Sequence, residues 1–211
     1  MDNLIYILFV AICIPILLMA CLVEKKARQP MIFFLIGIFL SVFASEINAY
    51  LRSILSMSTL EVTIVVTPIS EEILKALPIL FFATVLAPKK AALFTASMAV
   101  GIGFAVLENA FYLLNSDSFN MLDAIARAFG AGLMHGMCTL LVGVGISFVK
   151  KKQKLFVVGT FALLSTAITY HGIYNMLVQS DFEVIGYLLP ITTYIPFMVW
   201  RIRKKKQMKS G

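Results

Sequence analysis

Charged side chains are scarce. Asp, Glu, Lys and Arg make up 14% of the 211 residues, against about a quarter in an ordinary soluble domain. A chain this poor in charge cannot cover a water-exposed globule, which excludes a cytosolic enzyme and a nucleic-acid-binding domain. Cysteine is nearly absent as well. Cys13, Cys21 and Cys138 all lie inside apolar runs, with no CxxC and no metal-ligand spacing. That excludes a secreted disulfide scaffold and leaves the three as small core residues. No polar stretch is long enough for a soluble domain, and no internal repeat or low-complexity segment occurs. No cleavable leader is expected, because Met1-Asp2-Asn3 carries no positive charge and no A-x-A site follows. Leu18-Met19-Ala20-Cys21 faintly resembles a lipoprotein box, but Met19 and the acidic start argue against it, so the first apolar stretch reads as a retained helix. What is abundant is apolar: 60% of the residues are hydrophobic, far more than one small core buries.

Apolar stretches of about 20 residues, the length that spans a bilayer, occur seven times, at 4–23, 31–51, 60–87, 91–114, 121–149, 155–178 and 184–200. The expected fold is therefore all-α. It is a single integral membrane domain over 1–211, a polytopic transmembrane bundle ending in a basic tail at 201–211. Basic residues crowd alternate connections: Lys25, Lys26 and Arg28; Lys89 and Lys90; Lys150, Lys151, Lys152 and Lys154; and the tail from Arg201 to Lys209. These hold 15 of the 18 Lys and Arg. The opposite connections keep Arg52 alone beside Asp2, Glu61, Asp117, Asp181 and Glu183. By the positive-inside rule the amino terminus is outside and the carboxyl terminus cytoplasmic. The net charge of +7 is thus a topology signal, with anionic lipid as its partner and not nucleic acid.

Several ionisable residues remain inside the spans: Glu46, Glu71, Glu72, Lys75, Glu108, Arg127, His135 and His171. A charge at mid-bilayer costs about 2.5–3.5 kcal/mol on insertion scales, so such residues mark a protein interior or a wet cavity. Both histidines of the chain are in this set. At about 1.5 Å of rise per residue, Glu108 and His171 lie about 9–10 Å below the outer end of their spans, and Glu71 and His135 about 10–14 Å below theirs. All four fit one layer in the outer half of the membrane. Pro68 and Pro78 bracket Glu71-Glu72-Ile73-Leu74-Lys75, so an interrupted span beside a cavity is expected there. Glu71 and Lys75 stand at i,i+4 and are expected to pair. Phe104, Glu108 and Phe111 share a helix face with Asn109 beside them, and Asn175 lies one turn from His171. Gly130, Gly132 and Gly136 flank His135, where small residues admit a close neighbouring helix.

Two imidazoles with carboxylates in a low-dielectric site suit Zn²⁺, and a His₂Glu set leaves a fourth position for water. A further glutamate then accepts the proton of that water, which is the chemistry of peptide hydrolysis. The same groups also suit a metal-free version, with Glu and His activating water while His and Asn stabilise an oxyanion. Composition leaves both open. Other intramembrane protease signatures are missing: no H-E-x-x-H, no G-x-S-G, and Gly101-Ile102-Gly103-Phe104 lacks the aspartate of a Gly-x-Gly-Asp motif.

Four short motifs stand in order over 68–175: Glu71-Glu72-x-x-Lys75, Phe104-x-x-x-Glu108-Asn109, His135 in a glycine-rich span, and His171-x-x-x-Asn175. Together they resemble the PrsW family of intramembrane metalloproteases, related to the broader CAAX-type and bacteriocin-processing group. The broader group carries Arg one position later, where Ala76 stands here, and His where Glu108 stands. The resemblance implies an intramembrane endopeptidase of a bacterial cell membrane, cutting a single-span membrane protein near its extracytoplasmic face. It further implies an anti-sigma factor as substrate, in regulated intramembrane proteolysis. On this reading Glu71 is the general base and Glu72 its partner or a ligand. Glu108, His135 and His171 are the metal ligands for Zn²⁺, Lys75 holds the glutamate pair, Asn175 orients substrate or an oxyanion, and Asn109 supports the site. Glu46 and Arg127 stay unassigned, with gating as one option. Three competing readings are a small secondary transporter or proton-coupled carrier, a metal-free glutamate-dependent CAAX-type protease, and a catalytically dead interaction or immunity protein on the same scaffold.

Overall fold

A computed structural model describes residues 4–114, 121–149 and 152–210. The connection 115–120, Lys150 and Lys151, and the side chains of Asp123 and of the tail from Trp200 onward lie outside the described residues, so their charges enter only the sequence reading.

The described chain is helical throughout, without strands. We label the helices α1 (Leu4–Leu22), α2 (Lys25–Leu55), α3 (59–86), α4 (Lys90–Leu114), α5 (Met121–Ile146), α6 (Gln153–Val178) and α7 (Glu183–Ser210). Lys25–Leu55, Lys90–Leu114, Ala124–Ile146 and Gln153–Val178 are long and apolar enough to cross a membrane, while α1 is apolar but shorter. Large apolar side chains cover the outside, Leu22, Leu122 and Phe161 among the most exposed, a surface suited to hydrocarbon and not to water.

Two boundaries differ from the sequence expectation. Residues 25–30 form the first turns of α2 and not a loop. Arg28 makes this connection tight, because its Nε donates to the carbonyl of Ala20 at 3.0 Å and its Nη2 to those of Cys21 and Val23 at 3.3 and 3.1 Å. The first two close the last turn of α1 and the third lies just beyond it, where the helix offers carbonyls no partner of its own. The basic tail also differs, since it continues α7 to Ser210.

Helix α3 is interrupted, as its prolines predict, but by widening and not by a break. Thr59–Glu61 leads into a π turn at Val62–Val66, then Thr67–Phe81, then a second π turn at Phe82–Leu86. Its start is a capping box: Ser58 Oγ accepts from the Glu61 amide at 3.2 Å, and Glu61 Oε2 accepts from the Ser58 amide at 2.8 Å. Ser56 and Ala87, with φ of 52° and 45°, turn the chain at its two ends.

The core gathers Phe33, Ile79, Val100, Phe104, Met134, Val142, Ala167 and Tyr174 from α2 to α6. Glycine sets the closest helix approaches. A Cβ on Gly37 would collide with the Val100 carbonyl, one on Gly103 with that of Phe34, and one on Gly101 with that of His135. The glycines singled out beside His135 do less. A Cβ on Gly130 or Gly136 would first meet the Tyr174 or Ile102 side chain, at 3.2 and 3.1 Å, tight but against side-chain atoms, and Gly132 meets nothing within 4 Å. The residue that lets α4 reach His135 is Gly101, on the partner helix. Helix α1 packs apart from this core, against Ile38 and Leu107.

Candidate metal and catalytic centre

Four helices bring polar residues to one place. Helix α3 supplies Glu71, Glu72 and Lys75; α4 supplies Glu108; α5 supplies Arg127 and His135; α6 supplies His171. The segment Thr67–Phe81 has one polar face, so its carboxylates turn inward while Ile69, Ile73 and Leu77 stay exposed. Glu72, Lys75 and His135 are wholly buried, His171 is 1% exposed and Glu71 5%.

Glu72 is the hub. Its Oε1 accepts from Lys75 Nζ at 2.6 Å and from His171 Nδ1 at 2.9 Å. The expected pairing of Lys75 with Glu71 is therefore corrected: the ammonium goes to Glu72, at i,i+3. Glu71 instead faces α2, where Asn48 Nδ2 reaches its Oε1 at 3.5 Å and is itself held by Ser70 at 2.5 Å. The other oxygen, Glu71 Oε2, has no hydrogen-bond partner and stands 3.9 Å from His171 Nε2.

His135 is held at both nitrogens. Lys75 Nζ lies 2.7 Å from Nδ1, and Glu108 Oε2 lies 2.6 Å from Nε2. An ammonium donating at Nδ1 assigns the proton of a neutral ring to Nε2, which donates it to Glu108. The two imidazoles meet edge to face, with centroids 4.8 Å apart, and Phe104 packs on His135 at 5.1 Å while also lying under Lys75. Glu108 Oε1 accepts from Arg127 Nη2 at 3.3 Å.

The remaining expectations divide. Arg127 joins the cluster through Glu108, although the sequence assigned it no role. Glu46 does not, since it accepts from Tyr6 at 2.6 Å on an exposed face. Asn175 lies one turn from His171 but donates to the Thr63 carbonyl at 2.9 Å, inside the first π turn of α3. That backbone oxygen is offered because a π turn disturbs the usual ladder, and the amide satisfies it. Asn109 is buried with its Oδ1 unpartnered. Sequence reasoning missed Asn48, Ser70 and Tyr174. Asn48 was visible as an amide in an apolar helix, but nothing marked its distance from Glu71.

The donor set fits a divalent cation. One ligand atom each from Glu71, His135 and His171 lie within 4.8 Å of one another. Donors on a tetrahedral zinc with bonds of about 2.0–2.1 Å stand about 3.3 Å apart, so rotamer-scale adjustment closes the difference. His171 already has the arrangement of a ligand, with Nδ1 oriented by a carboxylate and Nε2 left toward Glu71. Two buried carboxylates, Glu71 and Glu72, and the half-buried Glu108 face only two cations, Lys75 and Arg127, so the cluster favours added positive charge.

No curated protein and no solved structure matches the chain. A family model described as PrsW family intramembrane metalloprotease matches residues 25–201. The match starts at the first turn of α2 and takes in all four helices that build the cluster. A buried Glu-Glu-x-x-Lys segment bonded to both histidines, inside an apolar helical bundle covered by that match, establishes that the chain belongs to the PrsW family of intramembrane metalloproteases.

Proposed function

We propose that this multi-pass membrane protease hydrolyses a peptide bond of a single-span membrane protein near its extracytoplasmic face, in a bacterial cell membrane. The substrate class we assign is an anti-sigma factor, on the family resemblance. The observation that carries the proposal is the convergence of Glu71, His135 and His171 at donor distance inside the bundle, beside the buried Glu72 and Lys75.

In this reading Glu108, His135 and His171 hold the metal, with Zn²⁺ as the ion. A bound zinc supplies Lewis acidity, polarising a carbonyl oxygen and lowering the pKa of water toward 7. The chain's own residues do the rest. Glu71 takes the proton of the attacking water on Oε2, the oxygen with no competing partner, and gives it to the departing amine. Glu72 fixes the His171 ring through Nδ1, and Lys75 balances the Glu72 charge. Asn175 keeps the π turn of α3 in place, and with it the direction of Glu71. A second reading exchanges the carboxylates. Glu71 is then the third ligand, as its distance to both imidazoles favours, and Glu108 the base. A carrier is less well supported, because a transporter site joins two interrupted helices and, among the described residues, only α3 carries π turns.

The test uses purified protein in liposomes with a single-span reporter. Glu71→Gln removes the base while keeping size, and cleavage falls at least ~10²-fold with the fold retained. Under the first reading Glu108→Gln loses the metal and Glu71→Gln keeps it; under the second the reverse holds. Full activity in strong chelator, without stoichiometric metal, would replace both by the metal-free CAAX-type mechanism.

A further inference from the structure

Hydrolysis needs donors for the oxygen that becomes negative, and Asn175, expected for that task, is engaged with the Thr63 carbonyl. Other buried donors of the cluster are committed too, Lys75 lying between Glu72 and His135. Among the described residues, the buried side-chain donors without a partner are Arg127 Nε, Tyr174 Oη and Thr160 Oγ1. Thr160 packs against Gly145, at the far end of α5. The first two border the carboxylate–imidazole cluster. Arg127 is 5% exposed, lies over the Tyr112 ring at 3.6 Å, and donates through Nη2 to Glu108. Its guanidinium is therefore held in place while Nε remains uncommitted. Tyr174 is 2% exposed, and its hydroxyl stands 3.2 Å from where a Cβ on Gly130 would be. Gly130 is one turn from Arg127 on the same helix, so the absent side chain leaves room for the hydroxyl beside the guanidinium. Arg127 precedes His135 and Tyr174 follows His171, on successive helices with a short connection. Both donors accordingly lie toward one end of the bundle, on one side of the imidazoles.

Leaving two buried donors unmet is costly unless something else meets them. From this geometry we infer that Arg127 Nε and Tyr174 Oη are the pair that holds the scissile carbonyl oxygen, a role that rests on the peptidase function proposed above. The substrate chemistry fits. An unwound transmembrane segment exposes backbone carbonyls that have no water to bond at membrane depth. As the water oxygen bonds to the carbonyl carbon, its proton passes to Glu71 and the C=O electron pair moves onto oxygen, facing the two donors. Collapse restores C=O, breaks the C–N bond and sends the proton from Glu71 to the leaving amine. Donors aimed at the developing charge strengthen in the transition state and act on kcat.

The experiment measures turnover and thermal stability of the full chain in liposomes. The probe is a fluorescence-quenched peptide with an apolar span of about 20 residues and a Gly-Pro pair near its outer end. Tyr174→Phe removes only the hydroxyl, and kcat is expected to fall about 10²-fold with KM within about twofold. Because that hydroxyl has no partner in the resting protein, Tm stays level or rises. Arg127→Lys keeps a cation for Glu108 but deletes Nε, and is expected to lower kcat similarly. Wild-type kcat in both variants while Glu71→Gln is inactive would overturn the donor pair alone. A fall of Tm along with kcat in Tyr174→Phe would overturn it too, by making the hydroxyl structural. No turnover in the wild type, or full turnover in Glu71→Gln, strikes the proposed function and the donor pair with it.

Discussion

Glu71 and Glu72 are adjacent, identical in type and both buried, yet their surroundings predict opposite responses to the same substitution. Glu72 neutralises Lys75 and orients His171. Glu72→Gln leaves an ammonium uncompensated in a fully buried position, and unfolding in micelles should show a loss of about 3–5 kcal/mol. Glu71 meets only a long contact from Asn48 and keeps one oxygen unpartnered. Glu71→Gln should therefore leave stability within about 1 kcal/mol while abolishing cleavage. If the two variants destabilise equally, the division of labour inside the pair is wrong. A metal taking His135 Nε2 sends the ring proton toward Nδ1, where the Lys75 ammonium now donates, so one of the two protons must leave the pair. Calorimetric zinc titration in buffers of different ionisation enthalpy should register that proton release, and His171→Ala should abolish tight uptake.

At the scale of helices, the distance between α4 and α5 governs the site, because Glu108 and His135 sit on opposite sides of that contact. Gly101→Val puts methyl groups into the His135 carbonyl. Overpacking of this kind costs about 1–3 kcal/mol, and moving α4 outward also pulls Glu108 from His135, so metal uptake and cleavage should fall together. Gly132→Ala is the control, expected within about 0.5 kcal/mol of the wild type because nothing lies within 4 Å of its Cβ position. Apolar stretches, their order and the residues that meet between them were legible in the sequence, since hydrocarbon spans need uninterrupted apolar length and buried charge stands out against it. Other features were not. A π turn has the same composition as an α turn, so the widenings of α3 left no trace beyond two prolines. Those widenings set the rotation of Thr67–Phe81. That rotation decides whether Lys75 meets the carboxylate three or four residues back, a choice that spacing alone leaves even. Helix ends were hidden for a different reason: Arg28 acts on carbonyls five to eight residues earlier, a contact no local pattern encodes.

For the whole molecule, charge bias predicts the sidedness of everything else. Single cysteines placed at Lys25 and at Lys89 should react with impermeant thiol reagents only from the cytoplasmic side, and one at Ser58 only from outside. Product termini read by mass spectrometry should then fall in the outer half of the substrate's span. Helix-breaking residues near that bond should raise the rate, and a stiff polyleucine replacement should lower it. A cut on the cytoplasmic side would mean that the topology or the site is misread. The distribution of the cluster over four helices also has a consequence for how the cell makes this enzyme. Synthesis delivers Glu71, Glu72 and Lys75 first, then Glu108, then His135, and His171 last, with 171 of 211 residues already joined. Until α6 enters the bilayer a nascent chain holds a Lys75–Glu72 pair and one imidazole, and it lacks the second. With His171 as a required ligand, as proposed, a ribosome-bound chain would be harmless to the membrane proteins inserting beside it, its own order of translation serving as the safety catch.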